Sequence, residues 1–377
     1  MNERADQGAV IPDSILGHHK PTLGDVAISA GVSTPTVSKV LNGRGDVAPE
    51  TRRRVQEALE ALDYLPRKGR RAAAPASIEF VSDAPESPYT TAVLVGAMLA
   101  GEELGVDLVV SRLHRRLPDR EWMRSSDWAK RLAVAGRSGA VVLMGELEPE
   151  RLENLVQEHL PTVAIDPLGS DPQVPTISST NWAGGRSAAA HLLNLGHRRI
   201  GIVGGRRESL AGQARVHGFR AAFETFEVSV DDTLMAWGRF NYESGLEAGG
   251  KWFSHDNPPT AVVTSSDSQA MGVVEAARRA GLRVPSDVSI TGYNDVIPSM
   301  WASPPLTTVR QPLQEMGRAA VRQVLMLADG KDLDFPHIEL ATELIIRDST
   351  APPRADDGSS IDASEFHRAR FSAARTD

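Results

Sequence analysis

Two hydrophobic rhythms divide this chain. Between residues 21 and 65, apolar side chains recur at helical spacing. Leu23, Val26, Ala27 and Ala30 mark one segment, Val37, Val40 and Leu41 a second, and Val55, Ala58, Leu59 and Leu62 a third. Positions three and four apart share a helix face, so each segment predicts a short amphipathic helix. Thr22 stands at an N-cap position, and Gly31 supplies the backbone freedom that stops the first helix. Ser33 or Thr34 caps the second, Pro35 occupies a first turn where no N–H is needed, and Pro49 opens the third. From Ser77 the rhythm changes. Short apolar runs at 78–81, 106–110, 140–144, 162–165, 200–203, 261–264 and 288–291 alternate with amphipathic, Ala- and Leu-rich stretches. Such alternation predicts parallel strands covered by helices on both faces.

Helix, glycine turn, helix is the geometry that lays a recognition helix in the DNA major groove. The outward face of the second helix carries Thr34, Pro35, Thr36, Ser38, Lys39 and Asn42. Hydroxyls and amides bond phosphates and base edges, and a lysine donates to guanine. The competing reading of the same pattern is an ordinary three-helix subdomain with a solvated polar face.

Charge sharpens the choice. Residues 20–71 hold ten basic and six acidic side chains, a net of +4, which leaves −12 on the rest of a chain whose formal charge is −8. A basic module on an acidic body localises phosphate binding to one end. With no cysteine, the chain has neither a disulfide framework nor a thiolate metal site. The first ten residues lack a signal peptide's basic and apolar regions, and no apolar stretch approaches bilayer length, so a cytoplasmic, nucleoid-associated protein is expected, with no membrane partner. No phosphate-binding loop, zinc-protease motif or nucleophile elbow occurs, and the histidines are scattered, so no enzyme, cofactor or metal site is expected.

The headpiece resembles the lac-repressor family of bacterial transcription regulators. The matching residues are Thr22-Leu23, Asp25-Val26-Ala27, Ala30-Gly31-Val32-Ser33, Thr36 through Gly43, Thr51-Arg52 and Tyr64-Leu65-Pro66. The likeness continues at Asn194-Leu195-Gly196-His197-Arg198-Arg199-Ile200 and Pro304-Pro305-Leu306-Thr307-Thr308-Val309. It implies an all-α helix-turn-helix headpiece joined to an α/β core of two doubly wound parallel-sheet subdomains, like a periplasmic binding protein. The expected division is a disordered tail over 1–20, a headpiece over 21–65, a basic hinge over 66–76, a core over 77–350 and a second tail over 351–377. Within the core, crossings near Gly196, Gln311 and Leu340 put about 77–195 and 312–340 in one subdomain and 196–311 and 341–350 in the other. The family also implies a homodimer on a near-palindromic operator, responsive to a small molecule.

Two departures stand out. Ala48 occupies the place of a capping serine, and Ala73 the place of the hinge leucine that wedges between bases. The hinge is instead basic, which puts Arg70 and Arg71 at minor-groove or phosphate surface, against the alternative of a solvated linker. Thr22, Ser33 and Tyr64 complete the set expected at DNA.

Effector contacts are expected beyond strand ends. Tyr89, Arg215, Phe240, Asp267 and Asn294 occupy family-like positions, with Trp182 as a second wall. Ring, guanidinium, amide and carboxylate together suit a mono- or oligosaccharide. The alternatives are packing for Tyr89 and Phe240, a carboxylate pair for Arg215, and a helix cap for Asp267. Asn181 reads as a cap. Asn294 stands where relatives carry an aspartate, which puts its role in doubt. Met300 and Trp301 are expected at the dimer interface, against simple burial. A regulator answering to a purine or nucleoside, or acting with a co-repressor, is the second reading. A sugar carrier of the transport type is the rival class, disfavoured by the headpiece.

Overall fold

The computed structural model describes residues 22–41, 47–62, 76–112, 125–143, 155, 157–167 and 174–354. The side chains of Leu23, Ser38 and Leu41 fall outside that description, as do Asn42, Tyr64, Arg70, Arg71, Ala73 and both expected terminal tails up to residue 21 and from 355. The chain forms two compact units, divided after residue 74.

The first unit is three helices: α1 (Leu23–Ala30), α2 (Thr34–Leu41) and α3 (Pro49–Ala61). Thr22 caps α1 through a reciprocal box. Its hydroxyl accepts from the Asp25 N–H at 3.3 Å, and its own N–H donates to the Asp25 carboxylate at 2.7 Å. Gly31 closes the helix at φ 63°, a left-handed conformation that glycine adopts without steric cost. Ser33, rather than Thr34, caps α2, its hydroxyl accepting from the Thr36 N–H at 3.4 Å. Val26, Ala27, Ala30, Val37, Val40, Val55 and Ala58 bury together as the core.

The second unit holds two parallel sheets. Its first lobe contains β1 (Ser77–Ser82), α4 (Pro88–Leu104), β2 (Asp107–Arg112), α5 (Ser125–Val134), β3 (Gly139–Leu143), β4 (Thr162–Ile165) and β5 (Thr176–Ser179). The second contains α6 (Asn181–Asn194), β6 (Ile200–Gly204), α7 (Leu210–Thr225), β7 (Met235–Trp237), α8 (Tyr242–Phe253), β8 (Ala261–Thr264), α9 (Asp267–Arg279), β9 (Ser289–Thr291), α10 (Ile297–Trp301) and β10 (Thr308–Arg310). The chain then returns through α11 (Leu313–Ala328) and β11 (His337–Leu340) to the first lobe, and through β12 (Glu343–Ile345) to pair antiparallel with β10. Strand order is β2-β1-β3-β4-β5-β11 in the first sheet and β7-β6-β8-β9 in the second.

Both sheets are doubly wound. In the first lobe, α4 and α11 pack on one face and α5 on the other. In the second, α6 and α7 cover one face while α8 and α9 cover the opposite one. The α6–α7 contact is close. A Cβ on Gly218 would stand 2.1 Å from the Trp182 carbonyl oxygen, and one on Gly185 would stand 2.4 Å from that of Arg215. Glycine on both helices therefore fixes the position of α7, which carries Arg215.

Two boundaries differ from expectation. The first crossing falls at Thr180, a whole helix before Gly196, because Ala188, Ala189, Leu192 and Leu193 of α6 bury in the second lobe's core. The Gly196-His197 motif marks a helix end: His197 is buried and bonds Thr260 Oγ1 at 3.0 Å and the Ala351 carbonyl at 2.9 Å. The body also extends past 350. The Ala351 N–H donates to Ser289 Oγ at 2.9 Å, and Arg354 pairs with Asp287, so residues 351–354 belong to the second lobe and not to a tail.

Candidate ligand cleft and recognition helix

On α2, Thr34, Pro35 and Lys39 are exposed and Thr36 is half-exposed. Thr22 and Ser33 are exposed as well, though their hydroxyls serve first as caps. The helix thus turns a polar, singly basic face outward while Val37 and Val40 anchor it.

In the second unit a cavity of about 580 Å³ lies between the lobes. Strand ends of both sheets feed it: Ser82 and Leu143 and the residue after β4, Asp166, from one lobe; Arg206, Phe240, Ser268 and Asn294 from the other. Tyr89, at the start of α4, and Arg215, on α7, complete its floor.

One hydrogen-bonded chain ties the two lobes together. The Tyr89 hydroxyl donates to Asp166 Oδ2 at 2.5 Å, and the Ser178 hydroxyl to Asp166 Oδ1 at 2.8 Å. The Asn181 amide donates to Ser178 Oγ at 3.1 Å and accepts from Arg215 Nε at 2.8 Å. Arg215, only 3% exposed, donates further to the Ser265 carbonyl at 2.6 Å, Gln311 Oε1 at 3.2 Å and Asn294 Oδ1 at 3.4 Å. Gln311, in the crossover after β10, returns a bond to Ser179 Oγ at 2.6 Å. The guanidinium sits 4.0 Å from the Tyr293 ring centre and 5.5 Å from that of Phe240. Its hydrogen-bond acceptors are neutral, so it is not held in a carboxylate pair.

Burial, reinforced by the Asp166 charge, pushes the Tyr89 hydroxyl well above its usual range, so it stays a donor. Burial also raises Tyr293, to about 12, against the opposing pull of Arg215. Asp166 and Asn294 hold φ 47° and 115°, a left-handed region that is sparsely used by non-glycine residues and concentrates at ligand sites.

Tyr89, Arg215, Phe240 and Asn294 therefore line one cavity. Asp267 does not. It is the first residue of α9, fully buried, and accepts from Thr308 Oγ1 at 2.5 Å and from the Val296 N–H at 2.9 Å. It braces the segment after β9 and does not line the cavity, and Ser266, not Asp267, caps α9. Trp182 does not line it either; it is 48% exposed and borders a neighbouring cavity. Asn181 follows the cap position, and its amide joins Ser178 to Arg215.

Asp166 and Gln311 were not foreseen. For Asp166 the signal existed, since a carboxylate directly after the apolar run 162–165 is a strand-end position like that of Asp267. Met300 and Trp301 are 48% and 78% exposed on α10, so neither is simply buried.

A basic-end helix-turn-helix unit and a two-lobed α/β body with a polar interlobe cavity define the class of a ligand-sensing DNA-binding regulator. Models of known families agree. Residues 22–67 match the bacterial regulatory proteins of the lacI family, and residues 189–350 match a periplasmic binding protein-like domain. The HTH-type transcriptional regulator DegA of Bacillus subtilis (strain 168) is 33% identical over 341 residues, covering 88% of this chain and 99% of DegA. A transcriptional regulator CelR–cellobiose complex superposes with a TM-score of 0.66 at 30% identity, covering 87% of this chain and 99% of that one. The lac repressor dimer bound to operator and the anti-inducer ONPF gives 0.71 at 24% identity, covering 88% and 100%, and supports the fold. The chain belongs to the lacI family: it is a DNA-binding transcriptional regulator, not an enzyme. Among the described residues no helix is long and apolar enough to cross a membrane.

Proposed function

We propose that this regulator is a dimeric, cytoplasmic repressor of a carbohydrate-utilisation operon, released from a near-palindromic operator by a small sugar. The observation that carries the reading is the meeting of Asp166, Arg215 and the Phe240 ring in one interlobe cavity. A carboxylate accepts from sugar hydroxyls, a guanidinium donates to them, and an aromatic face covers the C–H face of the ring. The similarity to a regulator complexed with cellobiose supports the same ligand class. Exposed Ile297, Met300 and Trp301 on α10 support a subunit contact, as large apolar side chains at a surface favour interfaces.

The test is operator binding by fluorescence anisotropy, using promoter DNA adjacent to the gene, with and without mono- and disaccharides. The expected result is salt-sensitive binding weakened about 5- to 150-fold by one sugar. Release by a nucleoside and by no sugar overturns the ligand class. Binding tightened by a small molecule overturns induction in favour of co-repression.

A further inference from the structure

A second cavity of about 550 Å³ opens between the lobes. It shares Asp166 and Ala211 with the first, so the two are neighbouring compartments of one interlobe crevice. The shared wall joins a carboxylate of the first lobe to a bare methyl of the second. The new compartment is bordered by Trp182 at the start of α6, by Thr180 at the crossing, and by His337 and Glu339 on β11.

Its chemistry repeats that of the first compartment with different residues. Trp182 presents a half-exposed indole that the core does not claim. His337 and Glu339 are exposed on the edge strand facing it, and the His337 ring is oriented by a hydrogen bond between its Nδ1 and Thr176 Oγ1 at 2.9 Å. Asp166 is addressed by Tyr89 through one oxygen and by Ser178 through the other. A carboxylate oxygen accepts more than one hydrogen bond, so both compartments have access to the same acceptor. An aromatic platform, a carboxylate and an imidazole around one cavity are groups that suit a sugar.

We propose that this compartment is a second saccharide subsite, and that the effector is a disaccharide or longer oligosaccharide. One ring lies against Phe240, the chain passes between Asp166 and Ala211, and the next ring lies against Trp182 with its hydroxyls toward His337 and Glu339. This rests on the sugar reading above.

The experiment is isothermal titration calorimetry on the full chain with matched series: glucose, cellobiose and cellotriose; glucose, maltose and maltotriose; galactose and lactose; xylose and xylobiose. The expected result is one series in which the disaccharide binds at least about tenfold tighter than its monosaccharide. Trp182→Ala then removes that advantage while leaving monosaccharide affinity unchanged, whereas Phe240→Ala weakens both sugars. Acrylamide quenching separates the difference between wild-type and Trp182→Phe emission, and protection of that component by disaccharide but not by monosaccharide is expected. Equal affinity for mono- and disaccharide, or a Trp182→Ala variant that still favours the disaccharide, overturns the second subsite and leaves the sugar reading standing. No heat with any sugar overturns both.

Discussion

Arg215 carries a full charge where solvent hardly reaches it, and it is held by neutral acceptors on α6, on the β8–α9 junction and on the crossover. Removing it leaves the Asn181, Ser265 and Gln311 oxygens without that donor, each at a cost of about 1–3 kcal/mol if no water replaces it. Arg215→Ala is therefore expected to lower the urea midpoint and to abolish the effector response while operator binding persists. An unchanged response would remove Arg215 from recognition. Asp267 shows a different use of a buried charge. Burial lifts its carboxyl to about 7, opposed by the Thr308 hydroxyl and the Val296 N–H, with Asp295 adding to the rise and Arg347 opposing it. The folded state thus holds a proton that the unfolded chain has released above about pH 4, so this residue favours folding at low pH. Its contribution declines as pH rises from about 4 to 7 and levels off above. Asp267→Asn keeps an acceptor for Val296 and presents a donor to Thr308, so urea midpoints measured from pH 5 to 8 should lose part of their downward slope. A slope unchanged by the substitution would deny that Asp267 titrates in this range. The sequence announced Asp267 and Asp166 with the same signal, a carboxylate just past an apolar strand. Which of them faces the cavity depends on what packs around it: Asp267 bonds the buried Thr308, while Asp166 bonds Tyr89, which lines the cavity, and Ser178.

At the scale of elements, α2 is the part whose outward face we propose to meet DNA. Val37 and Val40 fix its rotation, which leaves Lys39 exposed. Lys39→Ala is expected to weaken operator binding and to reduce the slope of log affinity against log salt by about one, if the ammonium meets a phosphate. A change confined to one base position at constant salt slope would instead mark Lys39 as a base reader. Effector binding, measured on the same variant, should not move. Helices such as α2 were legible because period and caps agreed: Ser33, Pro35 and the valines all pointed the same way. The seven apolar runs likewise became β1, β2, β3, β4, β6, β8 and β9 to within a few residues. The strands that escaped notice are β5, β7, β10, β11 and β12, which are three or four residues long and in several cases polar or half-exposed. The run Thr176–Ser179 reads as a loop on composition, and only its parallel pairing with β4 and β11 makes it a strand. The assignment of α6 failed for a related reason. Its apolar stripe shows that it buries one face, not which lobe receives it, and the deciding contact is the glycine-mediated approach to α7.

Across the whole body, two lobes share three crossings, and the same crossings carry polar bonds between them. Gln311 bridges Arg215 to Ser179, and the Thr180 hydroxyl accepts from the Thr342 N–H at 3.0 Å, which joins two of the crossings directly. Beside the cavity, Asp295 holds Arg310 at 2.8 Å and Arg347 at 2.5 Å, so the dipeptide Asn294-Asp295 touches the cavity with one residue and a crossover strand with the next. A ligand bridging Asp166 in one lobe and Arg215 and Asn294 in the other therefore acts on the angle between lobes through groups that already span them. If that angle sets operator affinity, the two equilibria are linked, and linkage runs both ways: whatever factor the effector takes from operator binding, operator must take from effector binding. At a coupling of roughly 1–3 kcal/mol the factor is about 5- to 150-fold. Calorimetric titration of the active sugar into free protein and into protein saturated with operator duplex should differ by the same factor that anisotropy gives for operator with and without sugar. Two unequal factors would mean that a further species takes part in one of the measurements. A sugar that binds tightly and equally to both forms would mean that the cleft recognises it without the switch responding, since a ligand with no preference between two states shifts neither.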